Sequence, residues 1–246
     1  MPSVVTMPFL NGADYFECLR MIHKALRPQR YLEIGVYQGE SLACATCESI
    51  AIDVNFVQGH DALNNKPACH FYRMPSDEFF IRHDAIDILK GPLDLAFLDG
   101  MHLHEFLLRD FANTERVCRP DSVIMLHDCL PIDPRMTHRS MDPIHRQEAV
   151  VPGWWTGDVW KTLVILKRHR PDLRFIALDA HPTGLVLISR LDPGNTRLSE
   201  HYDELVAEAD GLDLQTFGAD QLFALADVQS TSMLESPAEL CANLWL

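Results

Sequence analysis

The chain has 246 residues, of which 47% are hydrophobic, and a formal net charge of -14. We predict a single domain over residues 1–246, because this length and composition can bury a sizeable core. The excess of acidic residues argues against a broad nucleic-acid or anionic-membrane surface, since both would favour Lys and Arg.

Location is predicted from what the sequence lacks. No apolar stretch is long enough to cross a bilayer, and the first residues do not read as a signal peptide. The seven cysteines, an odd number, are typical of reduced thiols rather than of a secreted disulfide framework. We therefore expect a cytoplasmic protein with no membrane partner.

The first predicted elements are a helix over residues 11–28 and a short strand that ends at Gly35. A turn with a second glycine, Gly39, follows, and residues 41–48 are predicted to be helical. Glycine lets the backbone approach a ligand closely, and a helix N-terminus presents unpaired N–H groups. This arrangement favours a nucleotide-like cofactor, with an ordinary strand-to-helix connection as the alternative.

The chain then alternates between strands and helices. Strands are predicted at 50–54, 70–74, 93–98 and 122–126, and helices at 79–88 and 104–117. Asp53 ends the second strand, where it can bind ribose hydroxyls or form a simple turn. Asp99 and Asp128 follow the fourth and fifth strands. Since parallel strands end at one edge of a sheet, we expect these acids to converge with Gly35 in an α/β fold.

The second half of the chain contains a long segment without a clear element. Residues 129–156 carry four prolines and two adjacent tryptophans, which predicts a lid loop, with disorder as the alternative. A helix is expected next. Apolar runs at 173–178 and 184–189 predict an antiparallel hairpin. Residues 191–246 are expected to form a helical extension.

Three ordered segments carry a resemblance to a known family. They read Glu-Ile-Gly-Val-Tyr-Gln-Gly-Glu-Ser from residue 33, Asp-Gly-Met-His-Leu-His-Glu from residue 99 and Val-Ile-Met-Leu-His-Asp from residue 123. Together they resemble class I S-adenosylmethionine (SAM)-dependent methyltransferases, and in particular the metal-dependent O-methyltransferase-like subgroup with an Asp-Gly-x-His motif. The resemblance implies a catalytic core over residues 30–190. It also implies a Rossmann-like, mostly parallel sheet flanked by helices, with a terminal antiparallel hairpin.

The resemblance also implies the site residues. The cofactor-binding set would be Glu33, Gly35, Tyr37, Gly39, Ser41, Asp53, Ser76 and Asp77. Ser76 and Asp77 are equally well explained as the cap of a helix. A divalent metal, magnesium or manganese, would be held by Asp99, His127 and Asp128, which are otherwise ordinary turn residues. His102 and Asp99 would be catalytic, with His102 taking the acceptor's proton or supplying another metal ligand. An ordinary solvent-exposed histidine at the start of a helix is the alternative for His102.

The predicted function is therefore SAM-dependent O-methylation of a small-molecule hydroxyl, on a sugar or a secondary metabolite. Two other classes remain open. A nicotinamide-dependent oxidoreductase would be expected to carry a G-x-G-x-x-G turn, whereas this chain has G-x-x-x-G. A non-catalytic cofactor-binding protein with the same fold is the second alternative. The sequence is also compatible with a homo-oligomer.

Overall fold

A computed structural model describes residues 9–57, 59–63 and 65–246. Its centre is one eight-stranded sheet in the order β3-β2-β1-β4-β5-β7-β6-β8. The strands are β1 (Arg30–Ile34), β2 (Glu48–Asp53), β3 (Cys69–Arg73), β4 (Leu93–Leu98), β5 (Cys118–His127), β6 (Arg174–Leu178), β7 (Leu185–Ser189) and β8 (Val228–Gln229).

Helices flank the sheet and follow it to the end of the chain. They are α1 (Tyr15–Leu26), α2 (Ser76–Arg82), α3 (Ala85–Leu89), α4 (His104–Glu115), α5 (Trp160–His169), α6 (Arg197–Glu200), α7 (Tyr202–Asp210), α8 (Leu214–Phe217), α9 (Ala219–Ala226) and α10 (Pro237–Leu244). None of the helices within the described ranges combines the length and the apolar character needed to span a membrane.

The pairing of the strands confirms the predicted fold class. Strands β1 to β5 pair in parallel, whereas β7 runs antiparallel to both β5 and β6. The last strand, β8, pairs with β6 in parallel and comes from the C-terminal segment. The protein therefore has a Rossmann-like, mostly parallel sheet with a terminal antiparallel hairpin.

Alternating side chains of β1 show how the sheet separates two parts of the core. Leu32 and Ile34 pack into one buried cluster and Tyr31 into the other. The side chain of Glu33 lies with that of Tyr31, whose hydroxyl donates to it. Since successive side chains of a strand point to opposite faces, this one short strand supports both layers of helices.

One predicted helix is wrong. Within residues 41–48, only Leu42–Cys44 form a single turn of 3-10 helix, and β2 already begins at Glu48. Lys66 explains why the helix stops, because its Nζ donates to the carbonyls of Leu42 at 2.6 Å and Ala45 at 2.5 Å. The cation thus satisfies carbonyl groups that a longer helix would have used itself.

Another predicted helix, over residues 79–88, is divided in two. Helix α2 ends at Arg82, and α3 begins at Ala85. Asp84 starts the second helix by accepting a hydrogen bond from the backbone N–H of Ile86 at 2.8 Å. A side-chain cap of this kind satisfies one of the free N–H groups at a helix start, so the chain changes direction here.

Candidate functional site

Two carboxylates and two imidazoles meet at the carboxyl edge of the sheet. Asp99 Oδ1 lies 3.3 Å from His127 Nδ1 and 3.4 Å from His102 Nε2. Asp128 Oδ2 lies 3.2 Å from His102 Nδ1, and its Oδ1 lies 3.6 Å from His127 Nδ1. The structure therefore brings together the residues that the sequence predicted as catalytic and as metal ligands.

The close approach of β1 and β4 explains the first glycine of the turn. Gly35 has φ +87°, and a Cβ atom on it would lie 2.0 Å from the backbone oxygen of Asp99. The backbone N–H of Asp99 also donates to the carbonyl of Ile34 at 2.8 Å. Any side chain at Gly35 would force the two strand ends apart, so this glycine positions Asp99.

Three of the four residues form the group best suited to hold a metal ion. Asp99, His102 and Asp128 each offer an atom, and these atoms lie within 4.8 Å of one another. Carboxylate oxygens suit magnesium, and an imidazole nitrogen widens the choice to manganese and related ions. The donor set thus fits the cation that the resemblance implies, with His102 beside the two carboxylates.

His127, predicted as a metal ligand, is not part of this group of three and lies between Asp99 and Tyr15. Its Nδ1 faces the carboxylates, and its ring stacks on Tyr15 with the centroids 4.1 Å apart. Its Nε2 is buried and has no hydrogen-bond partner among the described residues. This geometry favours a role for His127 as the hydrogen-bond partner of Asp99.

The close contacts change the protonation of the site. Burial alone would raise the pKa of Asp99, but His127 and His102 outweigh it and hold that pKa well below its usual range. Burial would likewise lower the pKa of His102, but Asp128 and Asp99 raise it to about 9. At neutral pH His102 is therefore mainly protonated when no metal is bound, which does not favour it as a general base.

Sequence reasoning missed two residues that touch this site from distant segments. The carbonyl of Trp155 accepts a hydrogen bond from His102 Nδ1 at 2.8 Å, and its indole ring stacks on the imidazole at 4.9 Å between centroids. The hydroxyl of Thr183 donates to Asp128 Oδ1. Trp155 lies in the predicted lid loop and Thr183 in the hairpin turn, and nothing in the sequence pairs either one with its partner.

Asp53 organises the glycine turn. Its Oδ2 accepts hydrogen bonds from the backbone N–H groups of Val36 and Tyr37, both at 2.7 Å, and its Oδ1 accepts one from Asn55 at 2.8 Å. An ionised carboxylate has about four acceptor positions, so these three bonds leave capacity for a ligand. The carboxylate of Asp53 therefore fixes the backbone of the turn at Val36 and Tyr37.

Glu33 and Ser41, both predicted to bind the cofactor, pair inside the protein. Glu33 is 0% exposed, and its two oxygens accept hydrogen bonds from Ser41 Oγ at 2.6 Å and the hydroxyl of Tyr31 at 2.7 Å. Burial raises the pKa of Glu33 to about 8. The first of these hydrogen bonds connects Ser41, which follows the glycine turn, to β1 inside the protein.

Ser76 and Asp77 begin α2 at the carboxyl end of β3. Asp77 is bound by Arg109, whose Nε and Nη2 donate to its carboxylate at 2.9 and 2.7 Å. Neither residue caps the helix, because the cap position is Pro75 and has no side-chain hydrogen bond. The alternative prediction of a side-chain cap is therefore wrong.

A cavity of about 480 Å³ opens beside the glycine turn. Tyr37 and Gly39 line it, together with Phe56, Leu63 and Phe71. The other predicted cofactor residues do not line this cavity. The glycine turn therefore contributes to both sites, since Tyr37 and Gly39 line the cavity and Gly35 packs against Asp99.

Residues 32–129 match the model of a family described as a methyltransferase domain. The predicted resemblance to class I SAM-dependent methyltransferases is confirmed. The matched residues include the glycine turn, Asp53, Asp99 and the His127-Asp128 pair. A comparison with curated protein sequences finds no significant match.

Solved structures show the same methyltransferase fold. Cofactor-bound Rv0187 from MTB is 17% identical, with a TM-score of 0.52 over 76% of this chain and 84% of that one. An O-methyltransferase from Bacillus cereus in complex with SAH is 12% identical, with a TM-score of 0.50 over 74% of this chain and 84% of that one. At these identities the likeness concerns the fold alone.

Proposed function

We propose that this methyltransferase transfers the methyl group of SAM to a hydroxyl group of a small molecule. The observation that carries the proposal is the group formed by Asp99, His102 and Asp128, in which the backbone of Asp99 packs against Gly35 of the glycine turn. The similar fold of the Bacillus cereus O-methyltransferase, crystallised with SAH, supports the same cofactor class.

The residues around Gly35 fit a cofactor with a ribose. Asp53 holds the backbone of the turn in place and keeps acceptor capacity, which we assign to the ribose hydroxyls. Glu33 and Ser41 stabilise the turn from the buried side, so we assign them a supporting role. When bound, SAM would supply the methyl group to the acceptor's hydroxyl oxygen, with SAH as the leaving group and the hydroxyl proton released to solvent.

The carboxylate–imidazole group fits the removal of the hydroxyl proton. We assign Asp99, His102 and Asp128 as the ligands of a magnesium or manganese ion, which would supply Lewis acidity to the acceptor's hydroxyl. His127 orients Asp99 through its Nδ1. We favour the ligand role for His102 because its Nδ1 is held by the carbonyl of Trp155, while its Nε2 faces Asp99.

Calorimetric titration tests the cofactor part of the proposal. The purified protein is titrated with S-adenosylhomocysteine (SAH), the demethylated product, and separately with NADH. We expect SAH to bind and NADH not to bind. Binding of NADH alone would overturn the methyltransferase assignment, and binding of neither would favour a protein without this activity.

Titration with Mn²⁺ tests the metal part. The parent is compared with His102→Ala, Asp128→Asn and His127→Ala. We expect the first two substitutions to reduce Mn²⁺ affinity at least about tenfold, since each removes a ligand, and His127→Ala to have a smaller effect. Equal Mn²⁺ affinity in the parent and Asp128→Asn would remove Asp128 from the ligand set.

A further inference from the structure

Arg139 ties the loop over residues 129–156 to the start of α4. Its Nη2 and Nη1 donate to the two oxygens of Glu105 at 2.5 and 3.1 Å, which makes the ion pair bidentate. Nη1 also donates to Asp158 Oδ2 at 2.7 Å. Asp158 accepts a hydrogen bond from the backbone N–H of His104, the first residue of α4, at 3.0 Å. The guanidinium of Arg139 thus joins the middle of the loop to Asp158, which follows the loop, and to the start of α4.

A short series of contacts leads from Arg139 to the candidate metal site. The carbonyl of its neighbour His138 accepts a hydrogen bond from Trp155 Nε1 at 2.6 Å. The indole ring of Trp155 stacks on His102, and the Trp155 carbonyl binds His102 Nδ1. Nδ1 also lies 3.2 Å from Asp128 Oδ2, while Nε2 faces Asp99 Oδ1 at 3.4 Å. The position of the loop therefore helps to set how the ring of His102 is oriented between the two carboxylates.

We propose that Arg139 is a positioning residue for the candidate metal site, holding the loop so that Trp155 fixes the orientation of His102. The inference rests on the proposed function, since it takes Asp99, His102 and Asp128 as the cation ligands. In metal sites, a ligating histidine generally donates its second ring N–H to a fixed acceptor, and loss of that acceptor typically costs about 10–100-fold in metal affinity.

The burial of its partners distinguishes Arg139 from an ordinary surface cation. Isolated pairs at the surface contribute little, but the side chains of His104 and Asp158 are only 1% and 3% exposed. Arg135 offers a matched control in the same loop. Its exposure, 43%, is close to the 44% of Arg139, and its partner Asp133 is as buried as Asp158, at 3% exposed. Arg135 differs in that it reaches this one partner at 3.4 Å through a single nitrogen.

The experiment compares Arg139→Ala and Arg135→Ala with the parent by two measurements. The first is an imidazole-selective ¹H–¹⁵N NMR spectrum, in which the hydrogen-bonded Nδ1–H of His102 is assigned by its loss in His102→Gln. The second is calorimetric titration with Mn²⁺. We expect Arg139→Ala to lose or shift the His102 signal and to bind Mn²⁺ more weakly, by up to about tenfold, since Trp155 is the direct partner of His102. Arg135→Ala should match the parent in both.

The two measurements separate the inference from the function on which it rests. An unchanged His102 signal in Arg139→Ala would overturn the positioning role, whatever the Mn²⁺ result. If the parent fails to bind Mn²⁺, the metal part of the proposed function is overturned, and the NMR comparison still decides the role of Arg139. Should Arg139→Ala not fold, Glu105→Gln weakens the same ion pair from the helix side and is expected to shift the same signal.

Discussion

Tyr15 stacks on His127, with the ring centroids 4.1 Å apart and the ring planes at 27°. The contact joins the first helix to the carboxyl edge of the sheet. The backbone N–H of Tyr15 also donates to the carbonyl of His181 at 3.0 Å, which fixes the start of α1 beside the hairpin. A segment that precedes the matched methyltransferase domain therefore forms one wall of the candidate site.

Replacement of Tyr15 tests this wall. Tyr15→Leu removes the aromatic stack on His127, whereas Tyr15→Phe retains it and removes only the hydroxyl. We expect Tyr15→Leu to lower the free energy of unfolding by about 1 kcal/mol relative to Tyr15→Phe, the usual size of an aromatic contact beyond its buried area. Urea titration measures both variants. Equal stability of the two would show that the stack contributes nothing.

Asp53 provides a second prediction, because its carboxylate holds the turn that would face the cofactor. Asp53→Ala removes the acceptor for Val36, Tyr37 and Asn55, so we expect SAH affinity to fall at least about tenfold. Asp53→Asn keeps one oxygen that can accept hydrogen bonds from the N–H groups of Val36 and Tyr37, so this variant should retain part of the SAH affinity. Calorimetry on both variants gives the comparison. Unchanged affinity in Asp53→Ala would exclude Asp53 from the cofactor site.

The sequence predicts the sheet well because its signals are local. Apolar strands ending in Gly35, Asp53, Asp99 and Asp128 indicate both the fold class and the edge at which these residues meet. The helix predicted after the turn is wrong for a non-local reason, since Lys66 takes carbonyl groups that the helix needed. Local propensity contains no information about that distant side chain.

In the candidate site, too, local sequence signals predict some features, and contacts between distant residues determine the others. Strand ends place Asp99, His127 and Asp128 together, but strand position does not reveal that the ring of His127 turns toward Tyr15 and leaves His102 beside the carboxylates. Likewise, the contact of Trp155 with His102 depends on how the long loop folds back, which no short motif encodes. These contacts required the tertiary structure.

Glu33 predicts a pH dependence of stability. Its pKa is raised to about 8 in the folded protein, against 4.5 for the ordinary carboxyl group. Between these values the folded state keeps a proton that the unfolded chain releases. The free energy of unfolding should therefore fall as pH rises through this window, by up to about 1.4 kcal/mol per pH unit, and the loss should be complete above about pH 8.

Glu33→Gln isolates this contribution from that of the other titrating groups. The amide is neutral at every pH and can still form hydrogen bonds with Tyr31 and Ser41. Urea titrations of both proteins between pH 5 and pH 9 give the difference in the free energy of unfolding. We expect the stability of Glu33→Gln relative to the parent to increase with pH. A constant difference would contradict the raised pKa.

A buried ion pair provides the last prediction. Arg170 Nη1 and Nη2 donate to the two oxygens of Glu115 at 2.6 and 2.7 Å, and their side chains are only 1% and 3% exposed. Among the described residues, Glu115→Ala leaves the buried guanidinium with Asp172 as its remaining carboxylate partner, so we expect a loss of about 3–5 kcal/mol in the free energy of unfolding.

The control for this pair is an exposed one, Arg82 and Glu78, which meet at 2.8 Å through one nitrogen and have side chains 64% and 36% exposed. Glu78→Ala should cost less than about 1 kcal/mol, because water solvates the remaining charge. The double variant Glu115→Leu/Arg170→Met should recover most of the loss seen in Glu115→Ala, since no unpaired charge stays buried. If the double variant is as unstable as Glu115→Ala, the loss arises from packing or from the N–H group of Asp192, which also donates to Glu115.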